Sequence, residues 1–489
     1  MRRTRDDSAS PRIAQDAGHG PGPPPSDCMK RAYDRLSIQD LNNLWADSTD
    51  TPMHMMAVLR LEQEPLVDES GALKLDEIRE RIARRLERAP RLRQVIRPGN
   101  LLIGPPVWID ELGFDLDRHV RAASIPAPGG EMELLEVVAR IDQQRLDRSH
   151  APWEIWFITG LSDGRVALVL KLHHVIADGL AAVQLMGSLF EFNADGDGEE
   201  VPTRPWRPNP PPDRSELIRD NAATKAGGFA RALASLRRPV AIWRAPMTTA
   251  RTLGFAVAQA TRAPRSSINQ PIGARRRLAV VRIPLDAAKA VAHAQGGKVN
   301  DLVLALVASS LRALLLKRGE SVDGLGLLAS VPVSLRHDSQ LGNEVGAIIV
   351  RLAVDAADPR ARLQATVRAT ESAKHSQSPT AGTMAWSVMA RTGLVRALSR
   401  RQRFVNVFVT SVAGPPVPVY VLNARLLDVI PVTPIAGNCT LSFAALSYNG
   451  CLAITAVADG DHVPDLDVVI EAMARTWVAL KPSLDAVAS

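Results

Sequence analysis

Apolar positions along this chain switch repeatedly between a period of two and a period near 3.6, the signatures of a half-buried strand and an amphipathic helix. Ordered structure is expected from about residue 36, where Ser37-Ile38-Gln39-Asp40 has the spacing of a helix cap and residues 53–59 form a short apolar strand. Helical spacing returns at 75–86 and 131–144, with a strand-like stretch at 95–109 between them. A strand at 165–172 runs into His173 and His174, then into a helical pattern carried by Leu180, Val183, Met186 and Phe190. Farther along, strands at 277–283, 325–333 and 345–354 alternate with helices at 285–294, 300–317, 360–375 and 467–480. The mixture predicts an α/β (α+β layered) fold.

The pattern fails at two places. From Asn193 the chain turns to Asn, Asp, Gly and Glu and then carries Pro205, Pro208, Pro210, Pro211 and Pro212, the composition of a linker. Residues 1–30 hold Arg, Asp, Ser, Gly and Pro without the apolar stretch of a secretory signal, so they read as a disordered tail. A chain of 489 residues exceeds one core and predicts two domains of roughly 200 residues each. The expected division is a tail over 1–34, an N-terminal domain over 35–195, a Pro-rich linker and basic helical crossover over 196–274, and a C-terminal domain over 275–489, with a cleft between the domains.

Composition narrows the function. With 46% hydrophobic and 23% charged residues the chain reads as an ordinary soluble protein. Gly414, Pro415, Pro416 and Pro418 interrupt the weakly charged stretch 405–422, so no membrane-spanning helix is expected there. The net charge of +7 is unevenly placed: no Asp or Glu occurs between Asn221 and Leu285, where Arg and Lys mix with Phe229, Leu233, Trp243 and Phe255. Such a stretch suits either an anionic membrane surface or a solvated helix. Nucleic-acid binding is not expected, because aromatics make up 4% of the chain and no recognition module is visible. Cys28, Cys439 and Cys451 lack both the pairing of a secreted scaffold and the spacing of a zinc site, so no metal is expected.

Chemistry concentrates in His173-His174-Val175-Ile176-Ala177-Asp178-Gly179. Side chains alternate across a strand, so one histidine of the pair is expected to be chemical and the other structural. Asp178 precedes the next helical pattern, where its carboxylate can accept free backbone amides, and Gly179 permits a close chain passage. A neutral imidazole, ordinarily with a pKa of ~6.5, can take a proton from an alcohol attacking a thioester and return it to the departing thiolate. That chemistry needs no covalent acyl-enzyme, metal or redox cofactor.

His173-His174-x-x-x-Asp178-Gly179 resembles the signature of the coenzyme A-dependent acyltransferase superfamily. From about Leu36 to Asp467 the chain is similar to the bacterial wax ester synthase/diacylglycerol acyltransferase family. The resemblance is carried by Leu36-Ser37-x-x-Asp40, Pro52-Met53-His54, Phe114-Asp115-Leu116-Asp117-x-His119, Leu146-Asp147-Arg148-Ser149 and Trp153-Glu154. It continues in Val299-Asn300-Asp301-Leu302, Val331-Pro332-Val333-Ser334-Leu335-Arg336, Gly342-Asn343 and Asp459-x-x-x-Val463-Pro464-Asp465.

The resemblance implies two chloramphenicol-acetyltransferase-like domains forming a pseudo-dimer around a central cleft, with His174 as the base and His173 and Asp178 supporting it. Asn300 and Asp301 become candidates to organise the cleft, with ordinary helix capping as the alternative; apart from the resemblance, Arg336 ends a strand beside the Pro332 turn, where its guanidinium could pair with a carboxylate such as Asp178. Acyl-CoA is implied as co-substrate with no bound cofactor, and diacylglycerol or a fatty alcohol as acceptor. The implied location is cytoplasmic, peripheral to the inner membrane face or to lipid droplets. A carrier-protein donor with a condensation-type reaction, or a lipid-surface protein with impaired turnover, is the alternative. The family's Pro-Leu-Trp stands here as Ala151-Pro152-Trp153, and its Ser-Asn-Val-Pro-Gly-Pro as Thr410-Ser411-Val412-Ala413-Gly414-Pro415, which leaves Gly414 and Pro415 to shape the turn.

Overall fold

The computed structural model describes residues 33–177, 185, 187, 189, 206–236, 263–334, 345–376 and 400–481. The first half contains β1 (Asp34–Arg35), α1 (Ile38–Ala46), β2 (His54–Glu62), α2 (Leu75–Arg85), β3 (Gln94–Arg97), β4 (Val107–Asp110), α3 (Leu116–His119), β5 (Val120–Ser124), α4 (Glu131–Gln143), β6 (Trp153–Thr159) and β7 (Arg165–His173). The second half begins with α5 (Arg214–Leu236), β8 (Arg276–Pro284), α6 (Leu285–Ala294), α7 (Val299–Lys317), β9 (Leu327–Ser334) and β10 (Val345–Leu352). It closes with α8 (Pro359–Ser376), β11 (Val407–Ala413), β12 (Tyr420–Val421), β13 (Ala424–Val432), β14 (Leu441–Tyr448), β15 (Cys451–Asp459) and α9 (Leu466–Leu480).

Local sequence explains most of these elements. Helix α1 opens on the expected cap: the Asp40 N–H donates to Ser37 Oγ at 3.1 Å, and the Ser37 N–H donates back to the Asp40 carboxylate at 3.0 Å. Helix α7 is long and apolar enough by composition to cross a membrane, yet Leu302 through Ala308, Leu311, Leu314 and Leu315 are buried among strands and helices of the second half. At about 1.5–3 kcal/mol for each large aliphatic side chain removed from water, this helix is the main strut of that core. The stretch 95–109 is two strands rather than one. Asn100 Oδ1 accepts the N–H groups of Leu102 and Ile103 at 2.9 and 3.0 Å, which turns the chain so that β3 and β4 pair.

Two six-stranded mixed sheets dominate, ordered β12-β13-β2-β7-β6-β5 and β10-β9-β11-β14-β15-β8, with a small sheet β1-β4-β3 beside them. In the first, only β5 and β6 run parallel; in the second, β11 runs parallel to both its neighbours. Strands β12 and β13 come from the second half of the sequence but complete the sheet of the first, with Ile430 opposite Val58 on β2. The core between the halves is correspondingly shared. Met56, Val58, Leu134, Val138 and Val169 pack with Leu278, Ile430, Val432 and Val457. The result is an α/β fold of mixed sheets whose halves are joined, among the described residues, by the β13–β2 pairing and a shared core.

Candidate active site

β7 is central in its sheet and buried from Val166 to His173, flanked by β2 and β6. Its apolar run pins the strand in register, so that His173 faces His54 across the ladder and Leu172 faces Trp153. At His174 the chain leaves the ladder in a turn closed by the Ile176 N–H donating to the His173 carbonyl at 2.9 Å. The turn supplies a kink between the two adjacent histidines.

His173 is buried, and its Nδ1 accepts the Val175 N–H at 3.1 Å. Nδ1 therefore carries no proton, which assigns the ring hydrogen to Nε2, 3.8 Å from Asp47 Oδ2. Asp47 also accepts the Met53 N–H at 3.0 Å and pairs with Arg145 and Arg148. Burial would raise its pKa, but His173, Arg145 and Met53 outweigh this and hold the carboxyl well below the usual range.

The His174 peptide is held on both sides: its N–H donates to the Met53 carbonyl at 2.9 Å, and its carbonyl accepts from Asn43 Nδ2 at 3.2 Å. The residue keeps some exposed surface, yet protein atoms surround the ring densely. This burial, reinforced by the neighbouring His173 and His54, pushes its pKa down to about 4. His174 is accordingly a neutral imidazole on a fixed backbone.

Behind the corner lies a buried ionic network. His54 Nε2 pairs with Asp142 Oδ1 at 2.9 Å, both almost fully buried, and burial lowers the His54 pKa despite that partner. Asp142 Oδ2 lies 3.7 Å from Arg276 Nε of β8, and Arg276 Nη2 donates to the Asp50 carbonyl at 2.8 Å. Lys171, wholly buried in β7, donates to the carbonyls of Ile141 (2.8 Å) and Gln144. The network runs from the histidine strand through α4 to the second half of the chain.

The remaining sequence candidates fall in several places. Asp178, Gly179 and Arg336 lie outside the described residues, and with them the helix cap and the Asp178–Arg336 pair. Asn300 is half-buried in the first turn of α7, and Asp301 is buried and spends Oδ2 on the Lys298 N–H at 2.7 Å as that helix's cap. Gly414 follows β11, where its N–H donates to the Ser447 carbonyl at 3.0 Å and a Cβ would stand 2.3 Å from that oxygen. Pro415 follows it, half-buried. Cys439 is buried, and burial pushes its thiol up to about 12. Among the described residues no group of His, Cys, Asp and Glu could hold a metal ion.

Sequence reading singled out neither Asn43, Asp47, Asp142, Lys171 nor Arg276. Two of them carried a signal: Lys171 interrupts an apolar strand, and Asp142 lies on the otherwise apolar face of α4. A charge in such a position needs a buried partner.

Residues 36–303 match the wax ester synthase/diacylglycerol acyltransferase catalytic domain, and residues 341–481 match the C-terminal domain of the same family. A probable diacylglycerol O-acyltransferase of Mycobacterium tuberculosis is 31% identical over 449 residues, covering 88% of this chain and 92% of that protein. A second from the same organism is 32% identical over 450 residues, covering 88% and 95%. The solved wax ester synthase/diacylglycerol acyltransferase of Marinobacter aquaeolei VT8 superposes with a TM-score of 0.66 at 24% identity, over 91% of this chain and 98% of that one. A trichothecene 15-O-acetyltransferase of Fusarium sporotrichioides shares the fold at a TM-score of 0.60 and 12% identity, over 92% and 95% of the chains. The chain belongs to the wax ester synthase/diacylglycerol acyltransferase family and is an O-acyltransferase that takes its acyl group from acyl-CoA.

Proposed function

We propose that this protein joins a long-chain acyl group from acyl-CoA to diacylglycerol, and also to fatty alcohols, with His174 as the general base. The observation that carries the reading is the fixed, neutral imidazole at the end of β7, its peptide bonded to Met53 and Asn43. The acceptor hydroxyl gives its proton to the ring as its oxygen attacks the thioester carbonyl. Collapse of the tetrahedral species breaks the C–S bond, and the imidazolium returns the proton to the leaving thiolate, so the ring ends as it began. A neutral base can start this cycle throughout the physiological pH range.

His173 acts as support, its Nδ1 spent on the Val175 N–H and its Nε2 3.8 Å from the Asp47 carboxylate. In this reading Asp178 and Gly179, next in sequence, support His174, and Asn300, Asp301, Arg336, Gly414 and Pro415 are the second half's contribution to the site. In this reading the two halves are chloramphenicol-acetyltransferase-like domains related as a pseudo-dimer, divided as 35–195 and 275–489. Lipid acceptors reside in membranes or droplets, so the enzyme works at the cytoplasmic membrane face or a droplet surface, with the basic stretch 221–285 as its contact.

The test is a product assay. Purified protein is incubated with palmitoyl-CoA and either diacylglycerol or hexadecanol, coenzyme A release is followed, and the lipids are separated. Replacing His174→Ala should lower turnover on the order of 10² to 10⁴ with the circular dichroism spectrum unchanged. Normal turnover in that variant would remove His174 from the chemistry, and a product from neither acceptor would reject the substrate assignment.

A further inference from the structure

Helix α1 ends beside the base. Asn43 lies in its last turns and Asp47 is its C-cap, so the two residues, four apart, occupy one face of the helix. Their mutual geometry is fixed by the Asp47 N–H donating to the Asn43 carbonyl at 3.2 Å. Asn43 Nδ2 holds the His174 carbonyl directly. Asp47 Oδ1 binds the Met53 N–H, and the carbonyl of Met53 takes the His174 N–H. Asp47 Oδ2 faces the His173 ring, whose Nδ1 holds the Val175 N–H on the other side of His174.

We infer that Asn43 and Asp47 are positioning residues for acyl transfer: together they fix the peptide of His174 from both sides and thereby aim its imidazole at the acceptor hydroxyl. The inference rests on His174 being the base. The reason is geometric. A residue in a turn has no ladder to set its peptide plane, and that plane directs the Cα–Cβ bond that carries the ring. A misplacement near 1 Å at a reacting group can cost about 10²-fold in rate, while the contacts that bind acyl-CoA stay where they are.

The experiment compares Asn43→Ala and Asp47→Asn with the parent enzyme, each also made in the His174→Ala background. Steady-state kcat and KM for palmitoyl-CoA are measured at saturating acceptor, alongside thermal midpoints. The expected result is a kcat lowered about 10-fold by Asn43→Ala and about 10²-fold by Asp47→Asn, with KM changed less than about 3-fold. In the His174→Ala background neither change should lower the residual turnover further, because there is no ring left to aim. An unchanged kcat in both variants overturns the inference, and so does an equal loss in both backgrounds, which marks a purely structural effect. If Asp47→Asn does not fold, Asn43→Ala, a partly exposed side chain, decides alone by the same comparison. Normal turnover in His174→Ala itself overturns the base assignment and this inference with it. Collapse of His174→Ala with unaltered Asn43→Ala and Asp47→Asn overturns the positioning role only.

Discussion

The depressed pKa of His174 makes a prediction that ties rate and stability to one cause. The ordinary imidazole value of 6.5 falls to about 4, first through burial and then through the neighbouring His173 and His54. At pH 7 an imidazole of that strength is protonated in roughly one molecule in a thousand. With His174 as the proposed base, the rate should be flat from pH 8 down to about 5 and then fall with one proton, half-lost near 4. Stability should respond earlier. Below 6.5 the unfolded chain binds a proton that the folded site refuses, so folding weakens as pH drops from 6.5 toward 4 and the contribution levels off beneath that. The drop from 6.5 to about 4 corresponds to about 3 kcal/mol, and His54 and His119, both lowered by burial, act in the same direction. The assay is a stopped measurement of coenzyme A release between pH 4 and 8 at saturating substrates, paired with urea unfolding at each pH. An acid limb with its midpoint near 6.5 would refute the burial argument outright, because it would mean that water solvates the ring as freely as in a peptide.

Other outcomes follow from the same geometry. Asp142→Ala leaves His54 and Arg276 buried without their shared carboxylate and should cost about 3–5 kcal/mol, read from the urea midpoint. Gly414→Ala sets a methyl 2.3 Å from the Ser447 carbonyl oxygen, so β11 and β14 must part at that end; a loss of about 1–3 kcal/mol is expected, and a neutral substitution would contradict the close approach. Cys439, with its thiol pushed up to about 12 and fully buried, should resist a thiol-alkylating reagent in the native protein and react after unfolding, as mass spectrometry would show.

How much of this was legible beforehand depends on whether the cause is local. The cap at Ser37 and Asp40, the bounds of α6 and α7, and the strand running into His173 follow from periodicity and capping within a few residues, and the structure has them there. The β3–β4 hairpin was missed although its signal is local: Pro98, Gly99 and Asn100 are turn formers, and Asn100 does close the turn. Strand β13 is a different kind of miss. It was not read from the sequence at all, and its choice of β2 as partner is a tertiary decision that no window of sequence contains.

The site divides along the same line. His173 and His174 are adjacent, so their spacing could be read; Asn43 and Asp47 reach them from α1, while Asp142 of α4 and Arg276 of β8 lie behind them through His54, three separate segments in all. Each of these polar groups is tolerable inside only because another segment answers its charge or hydrogen bond. Arg276 makes the point sharpest: alone in an alternating strand it reads as one more surface cation of a basic stretch, yet only 5% of it is exposed. It is held by the Asp50 carbonyl and the Asp142 carboxylate, both from the first half of the chain. The local Gly273 carbonyl takes a further hydrogen bond at 2.7 Å, but the carboxylate that answers the buried charge is supplied only when both halves have met. Joining of the two halves thus completes the buried contact behind the histidine corner, and a truncated first half would keep His54, His173 and His174 but leave the Asp142 carboxylate without Arg276.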